Sequence, residues 1–255
     1  MKLIIRADDL GFSEAINYGI AKTVQSGIVK NVGLMPNMEA AKHGFSLIQH
    51  EDIAIGQHTN LCVGKPICNP SLIPSLVNES GEFYTSKDIK SRDTDTIILE
   101  EAILEIEAQL ERFKSITGRT PDYFEGHAIR SNTFFAALNI VAKKHHLFLC
   151  DPMNIEWRNK TGLSCGEMYH LDEKGLYDPY SYLFDNQANI NDHGTTILVY
   201  HPGYLDQYVL DHSSFTLIRP LECDFLCSKE CKQWIEQHHV ELCDFRNYQE
   251  VIYYA

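Results

Sequence analysis

Five polar residues stand where short apolar runs stop: Asp8 and Asp9 after KLIIRA, His58 after DIAIGQ, His127 after DYFEG and His201 after TTILVY. If those runs are parallel strands, the five side chains gather at the C-terminal rim of one sheet, where an α/β scaffold assembles its chemistry. One aspartate with two neutral imidazoles is a ligand set for zinc or another first-row divalent ion, and it leaves a coordination position for water. Such an ion acidifies the water and polarises a carbonyl, the chemistry of amide or ester hydrolysis. A remaining carboxylate then serves as general base and a remaining histidine as the acid that protonates the leaving amine. Taken singly, each residue has an ordinary explanation. An Asp-Asp pair forms turns, a lone histidine is often a hydrogen-bonded structural residue, and His201 before Pro202 can mark a turn. Their shared position at successive run ends is what points to a site. His145, His146, His238 and His239 fall at helix ends and are expected to be solvated.

The elements that must position these residues alternate strand and helix. Residues 2–7 form a first strand, apolar on both faces as in a buried parallel sheet. Ser13 caps a helix whose stripe is Ile16, Ile20 and Val24, closed by Gly27. Strands follow at 29–35, 52–57 and 123–126, with a helix over 40–48 between the first two. The clearest helix carries Leu99, Ile103, Ile106, Leu110 and Phe113 and ends at Gly118. Asn132 is expected to cap a helix through Phe135, Leu138 and Val141, leading to a strand at 147–150. Residues 151–192 are weakly patterned. A buried strand at 195–200, a helix at 221–238 and a last strand at 240–245 complete the chain. Residues 60–95 break the rhythm with Pro66, Pro70, Pro74 and the turn at 78–81. So long a loop directly after His58 reads as functional, covering the site or shaping specificity.

Repeated βα units imply a parallel sheet with right-handed crossovers. A barrel is favoured over an open doubly wound sheet because ADDLG, not a glycine-rich dinucleotide fingerprint, follows the first strand. The chain, 255 residues with 44% apolar and 22% charged, is a normal size for one such domain spanning 1–255. A formal net charge of −13 argues against a nucleic-acid partner. No secretory signal or membrane span is visible, so a cytoplasmic protein with eight reduced cysteines is expected. Cys223, Cys227 and Cys231 recur every four residues on one helix face and read as small core positions rather than metal ligands.

ADDLGFS, GQHTNL, EGH and HPGY, in this order and spacing, resemble the YdjC-like carbohydrate deacetylases, as do SLVNESGEF in the long loop and the region from Arg219 to Leu226. The resemblance covers essentially the whole chain. It implies a distorted TIM-like (β/α) barrel with seven or eight parallel strands, and removal of an N-acetyl group from an amino sugar or chitooligosaccharide. By position, Asp9, His58 and His127 would hold one divalent ion (zinc or magnesium, the ligand chemistry leaning to zinc). Asp8 would be the base, His201 the acid or a stabiliser of the tetrahedral intermediate, and Arg219 an arginine that orients a carboxylate. An acetylated sugar is the implied partner, with a homodimer as the assembly such proteins often form. The family's run of histidines after the fourth strand is missing, since Ala128, Ile129 and Arg130 follow His127; Thr59 and Leu10 replace a leucine and a phenylalanine. Two other readings stay open. One is a metal-independent glycoside hydrolase using Asp8 or Asp9 with Glu125. The other is a non-catalytic sugar-binding protein on the same fold.

Overall fold

A computed structural model describes residues 1–191 and 194–248; Asp192, at the end of the weakly patterned stretch, lies outside them. Among the described residues seven strands pair in parallel: β1 (Lys2–Leu10), β2 (Asn31–Leu34), β3 (Ala54–Thr59), β4 (Phe124–Gly126), β5 (Leu163–Cys165), β6 (Thr195–Tyr200) and β7 (Glu241–Leu242). The order is β4-β3-β2-β1-β6-β5, with β7 added to β1. The sheet curls into an incompletely closed barrel, in agreement with the expected distorted (β/α) barrel. β7 meets β1 at Lys2 and Leu3, while β2 meets it at Arg6 and Ala7, so the two share the length of the central strand. Buried Asn31 seals that junction, donating to the Ile5 and Cys243 carbonyls and accepting from the Phe245 N–H.

Ten helices flank the sheet among the described residues: α1 (Glu14–Gln25), α2 (Ala41–Ile48), α3 (Ser86–Lys90), α4 (Leu99–Thr117), α5 (Asn132–His145), α6 (Ile155–Thr161), α7 (Pro179–Phe184), α8 (Gln207–His212), α9 (Ile218–Cys227) and α10 (Lys229–Gln237). Ser13 caps α1 by accepting from the Ile16 N–H, and Ile16, Ile20 and Val24 face the core. α4 ends at Gly118 in the left-handed region, φ 73°, which glycine adopts without steric cost. Its inner face carries two fully buried polar residues besides the apolar stripe. Glu105 accepts from the Ile67 and Cys68 N–H groups, and Gln109 bonds both the N–H and the carbonyl of Asn60. α4 therefore anchors the chain immediately after His58.

The departures from expectation have local causes. The 60–95 segment is packed: Leu61, Ile73, Leu76, Val77 and Phe83 join Ile106, Leu110, Phe134 and Leu138 in a second core. Ser131, not Asn132, caps α5, accepting from the Phe134 N–H. The expected strand at 147–150 reduces to a bridge between Leu149 and Phe124, while the edge strand β5 lay in the unpatterned stretch. The single helix expected at 221–238 is two, because Ser228 ends α9 and caps α10. Cys223 and Cys227 consequently lie on α9 and Cys231 on α10, with Cys223 and Cys231 buried and Cys227 half-buried. His145 is not free in solvent, since its Nε2 bonds Glu107 at 2.7 Å.

Candidate metal centre and active site

β1 does not stop before its aspartates. It runs through them to Leu10, and the register with β2 slips between Ala7 and Leu10. Asp9 sits at the slip with φ 74°, a left-handed conformation unusual for a residue other than glycine. Regular strand alternation would send Asp8 and Asp9 to opposite faces. The bulge overrides it, and both carboxylates reach His58: one cluster joins Asp9, His58 and His127, the other Asp8, His58 and Glu125. Strained backbone at a polar cluster is a mark of a functional site.

His58 lies within β3 and His127 directly after β4. His58 Nε2 and His127 Nδ1 are 2.8 Å apart, and each is 3.3 Å from Asp9 Oδ1. Three donors about 2.0–2.2 Å from one ion would be separated by roughly these distances. Asp9 Oδ1 is buried and makes no well-formed hydrogen bond among the described residues, facing the two imidazole nitrogens at 3.3 Å, an arrangement that a cation between the three would complete. The residues present therefore fit a divalent ion. His58 Nδ1 bonds Glu125 Oε1, which turns Nε2 toward the centre, the carboxylate–histidine arrangement of metal sites. The second cluster is less suited to a metal, because Arg6 already pairs with two of its members: Asp8 Oδ2 at 2.7 Å and Glu125 Oε2 at 3.1 Å.

Charge in this cluster is tightly coupled. Burial opposes the Asp9 carboxylate, but the Arg219 guanidinium and the two imidazoles hold its carboxyl well below the usual range. Burial likewise opposes protonation of His58, yet Glu125, Asp8 and Asp9 raise it well above the ordinary imidazole value. His127 is pushed up to about 9, burial being outweighed by Asp9 and Cys62. The electrostatics of the cluster thus favour positive charge beside Asp9.

The end of β6 is built differently. His201 lies edge-on to Phe215, with ring centroids 4.9 Å apart, and its Nδ1 is 3.4 Å from the Tyr169 hydroxyl. Tyr169 in turn stacks on Tyr177 at 3.9 Å. Burial lowers the His201 imidazole to about 4 despite the nearby Asp9 and Asp8. Arg219 is 1% exposed, and all three of its guanidinium nitrogens are engaged. They donate to the Phe215 carbonyl (2.7 Å), the His201 carbonyl (3.3 Å), Asp9 Oδ2 (2.8 Å) and Ser213 Oγ (3.2 Å). Arg219 so links the Asp9 and His201 ends of the site while presenting almost no surface to a substrate.

The structure gathers Asp8, Asp9, His58 and His127 into one contact cluster and ties Asp9 to the His201 segment through Arg219. Sequence reasoning passed over Arg6, Glu222 and Tyr169. An arginine inside the apolar run LIIRAD is a signal that could have found the first, since a buried cation needs an anionic partner. Glu222 and Tyr169 carry no comparable mark.

A model of the YdjC-like protein family matches residues 2–237. The chain belongs to this family. Carbohydrate deacetylase 2 of Listeria innocua is 32% identical over 258 residues, spanning 97% of this chain and 98% of its own length. The carbohydrate deacetylase of Clostridium beijerinckii is 29% identical over 257 residues, spanning 97% and 100%. Among solved structures, one from Enterococcus faecalis described as a cellobiose-phosphate cleavage protein superposes with a TM-score of 0.81 at 24% identity, over 96% of this chain and 98% of that one. A peptidoglycan N-acetylglucosamine deacetylase gives a TM-score of 0.52 at 14% identity, over 97% and 87%. At these identities the structural likenesses establish the fold, which the YdjC-like chain shares with a more distant deacetylase.

Proposed function

We propose that this chain is a divalent-metal-dependent carbohydrate deacetylase that hydrolyses the N-acetyl group of an amino sugar or chitooligosaccharide. The observation that carries this reading is the triangle of Asp9 Oδ1, His58 Nε2 and His127 Nδ1, with sides of 2.8 to 3.3 Å, beside a second carboxylate, Asp8. The relatives named carbohydrate deacetylase support the reaction class. Asp9, His58 and His127 would hold the ion, and two nitrogen donors favour zinc over magnesium. When bound, the ion supplies Lewis acidity to the amide carbonyl and the attacking water.

The chain's own groups supply the rest. Asp8 keeps one oxygen on Arg6 and the other without a partner among the described residues, so Oδ1 is available to accept a proton from water. His201, neutral at pH 7 with its imidazole lowered to about 4, would act as the stabiliser, its ring N–H donating a hydrogen bond to the developing oxyanion, while the proton that Asp8 takes from water would pass on to the leaving amine. Arg219 acts by orienting Asp9. The glycosidase reading is disfavoured because Glu125 is committed to His58 and Arg6. The 60–95 segment, tied down by α4 right after β3, is read as a wall of the substrate site in a single 1–255 domain. Eight free cysteines support a reducing, cytoplasmic setting, and no helix among the described residues is long and apolar enough to cross a membrane. With a net charge of −13, the reading includes no nucleic-acid partner; a homodimer is its assembly.

The test is acetate release from diacetylchitobiose after exhaustive chelation and after adding back zinc or magnesium. Chelation is expected to abolish release and the ion to restore it. Full turnover without metal, or no acetate from any N-acetylated sugar, would sink the proposal.

A further inference from the structure

The segment His201-Pro202-Gly203 offers only two peptide N–H groups, because proline has none, and α9 takes both. The His201 N–H donates to Glu222 Oε2, and the Gly203 N–H donates to the Arg219 carbonyl at 3.2 Å. The His201 carbonyl accepts from Arg219 Nη1 at 3.3 Å. On the other side the segment rests on α1. An added Cβ at Gly19 would lie 2.4 Å from the Gly203 Cα, and the Tyr204 N–H donates to the Ala15 carbonyl at 3.1 Å. The imidazole itself is held far more loosely, by the edge of Phe215 and a hydroxyl 3.4 Å away. Its aim is therefore set through its backbone.

Glu222 stands out in this clamp. It is completely buried, one turn beyond Arg219 on α9. A carboxyl in such surroundings is costly unless its oxygens are used, and both are: Oε2 by the His201 N–H, Oε1 by the Tyr177 hydroxyl at 2.6 Å. We propose that Glu222 is a positioning residue for His201, anchoring its peptide N–H while Arg219 anchors its carbonyl, so that the aim of the imidazole is fixed. Only what the imidazole then does rests on the deacetylase reading.

The groups facing the carboxyl are the Tyr177 and Tyr169 hydroxyls, the Arg219 guanidinium and the His201 peptide. Burial raises the carboxyl to about 7 against these contacts. Protonated or not, it retains an oxygen that can accept the His201 N–H, so the role is geometric rather than one of charge. Glu222→Gln keeps that acceptor, and the Tyr177 hydroxyl can accept from the new amide.

Glu222→Ala and Glu222→Gln are compared with the wild type in steady-state acetate release, bound metal and imidazole NMR, with the His201 signal assigned from His201→Gln. Glu222→Ala is expected to lower kcat by roughly 10- to 100-fold, with KM changed less than about 3-fold. Metal content stays unchanged and the His201 resonance shifts and broadens. Glu222→Gln is expected to stay within about 3-fold of the wild type with a native His201 resonance. A Glu222→Ala protein with wild-type kcat and resonance overturns the proposal, as does a Glu222→Gln protein impaired as much as Glu222→Ala. If Glu222→Ala does not fold, Glu222→Met keeps the volume, removes both oxygens and carries the same expectations. A wild type that releases no acetate refutes the deacetylase reading, while the His201 resonance still decides the positioning.

Discussion

At the β1–β3–β4 end of the rim, His58 and His127 lie among the carboxylates of Asp8, Asp9 and Glu125, whereas at the β6 end His201 lies against Phe215 and Tyr169. The carboxyl hydrogen-bonded to this segment, Glu222, takes the His201 backbone N–H. Burial disfavours the imidazolium at both ends. Asp9 and Cys62 outweigh it at His127, pushed up to about 9, while Asp9 and Asp8 do not outweigh it at His201, lowered to about 4. One end is therefore built to favour positive charge, for which protons and a bound ion would compete. The other keeps a neutral imidazole at pH 7. Identical side chains on one rim acquire separate roles from their surroundings.

The comparison breaks most severely at the bulge, where Asp8 and Asp9 are adjacent in sequence but paired with different arginines. Asp9→Ala removes a proposed ligand and strands the buried Arg219 guanidinium, so metal binding and acetate release are expected to fall to background. Asp8→Asn should retain the ion and lose about 10²-fold or more in rate, as expected for a general base. Elemental analysis of the purified variants alongside rates separates the two. An Asp8→Asn protein without metal, or an Asp9→Ala protein that keeps it, would erase the division between base and ligand.

A smaller effect tests the opposite shifts directly in chelated protein. His127, raised from 6.5 to about 9, binds its proton more tightly in the folded state. Its stabilising contribution is full below about 6.5 and is lost as pH rises through about 9. His201, lowered from 6.5 to about 4, is protonated first in the unfolded chain. Its contribution is full above about 6.5 and is lost as pH falls through about 4. Melting curves should accordingly show His127→Gln flattening the alkaline limb and His201→Gln the acid limb, each by a few degrees. Zinc must displace the His127 proton to bind, so its stabilisation should grow between pH 6 and 9. Matching pH dependences for the two variants would mean that both histidines see the same surroundings.

The two ends also differed in how much the sequence revealed. His58, His127 and His201 were visible because an apolar parallel strand leaves its functional polar residues at its end, where the pattern breaks. The aspartates were visible for the same reason, but their shared direction was not. Alternation is a rule of regular strands, and the left-handed Asp9 is an exception that no residue type announces. Arg6 was hidden inside a run that reads as core. Glu222 was hidden because one buried acid on a helix looks like any solvated one until its partners from β6 and the Tyr177 segment are in place. The same dependence on distant partners explains β5, three residues long and paired with β6. It also explains the break at Ser228, where a cap interrupts a pattern that periodicity would carry straight through.

The smallest expected effect decides how the β6 end holds its imidazole. If Tyr169 sets the tautomer and aim of His201, Tyr169→Phe should cost as much as the loss of a positioned proton-transfer group. The 3.4 Å separation between its hydroxyl and Nδ1 is longer than a strong hydrogen bond, and the ring of Tyr169 is independently held by its stack on Tyr177. Removing the hydroxyl therefore leaves the aromatic wall standing, and acetate release should change by less than about 3-fold, with the His201 resonance in place. A loss of 10²-fold, on the scale of removing a general acid, would move control of His201 from its backbone to its ring. The β6 end would then orient its histidine as the β3 end orients His58, by a side chain at Nδ1.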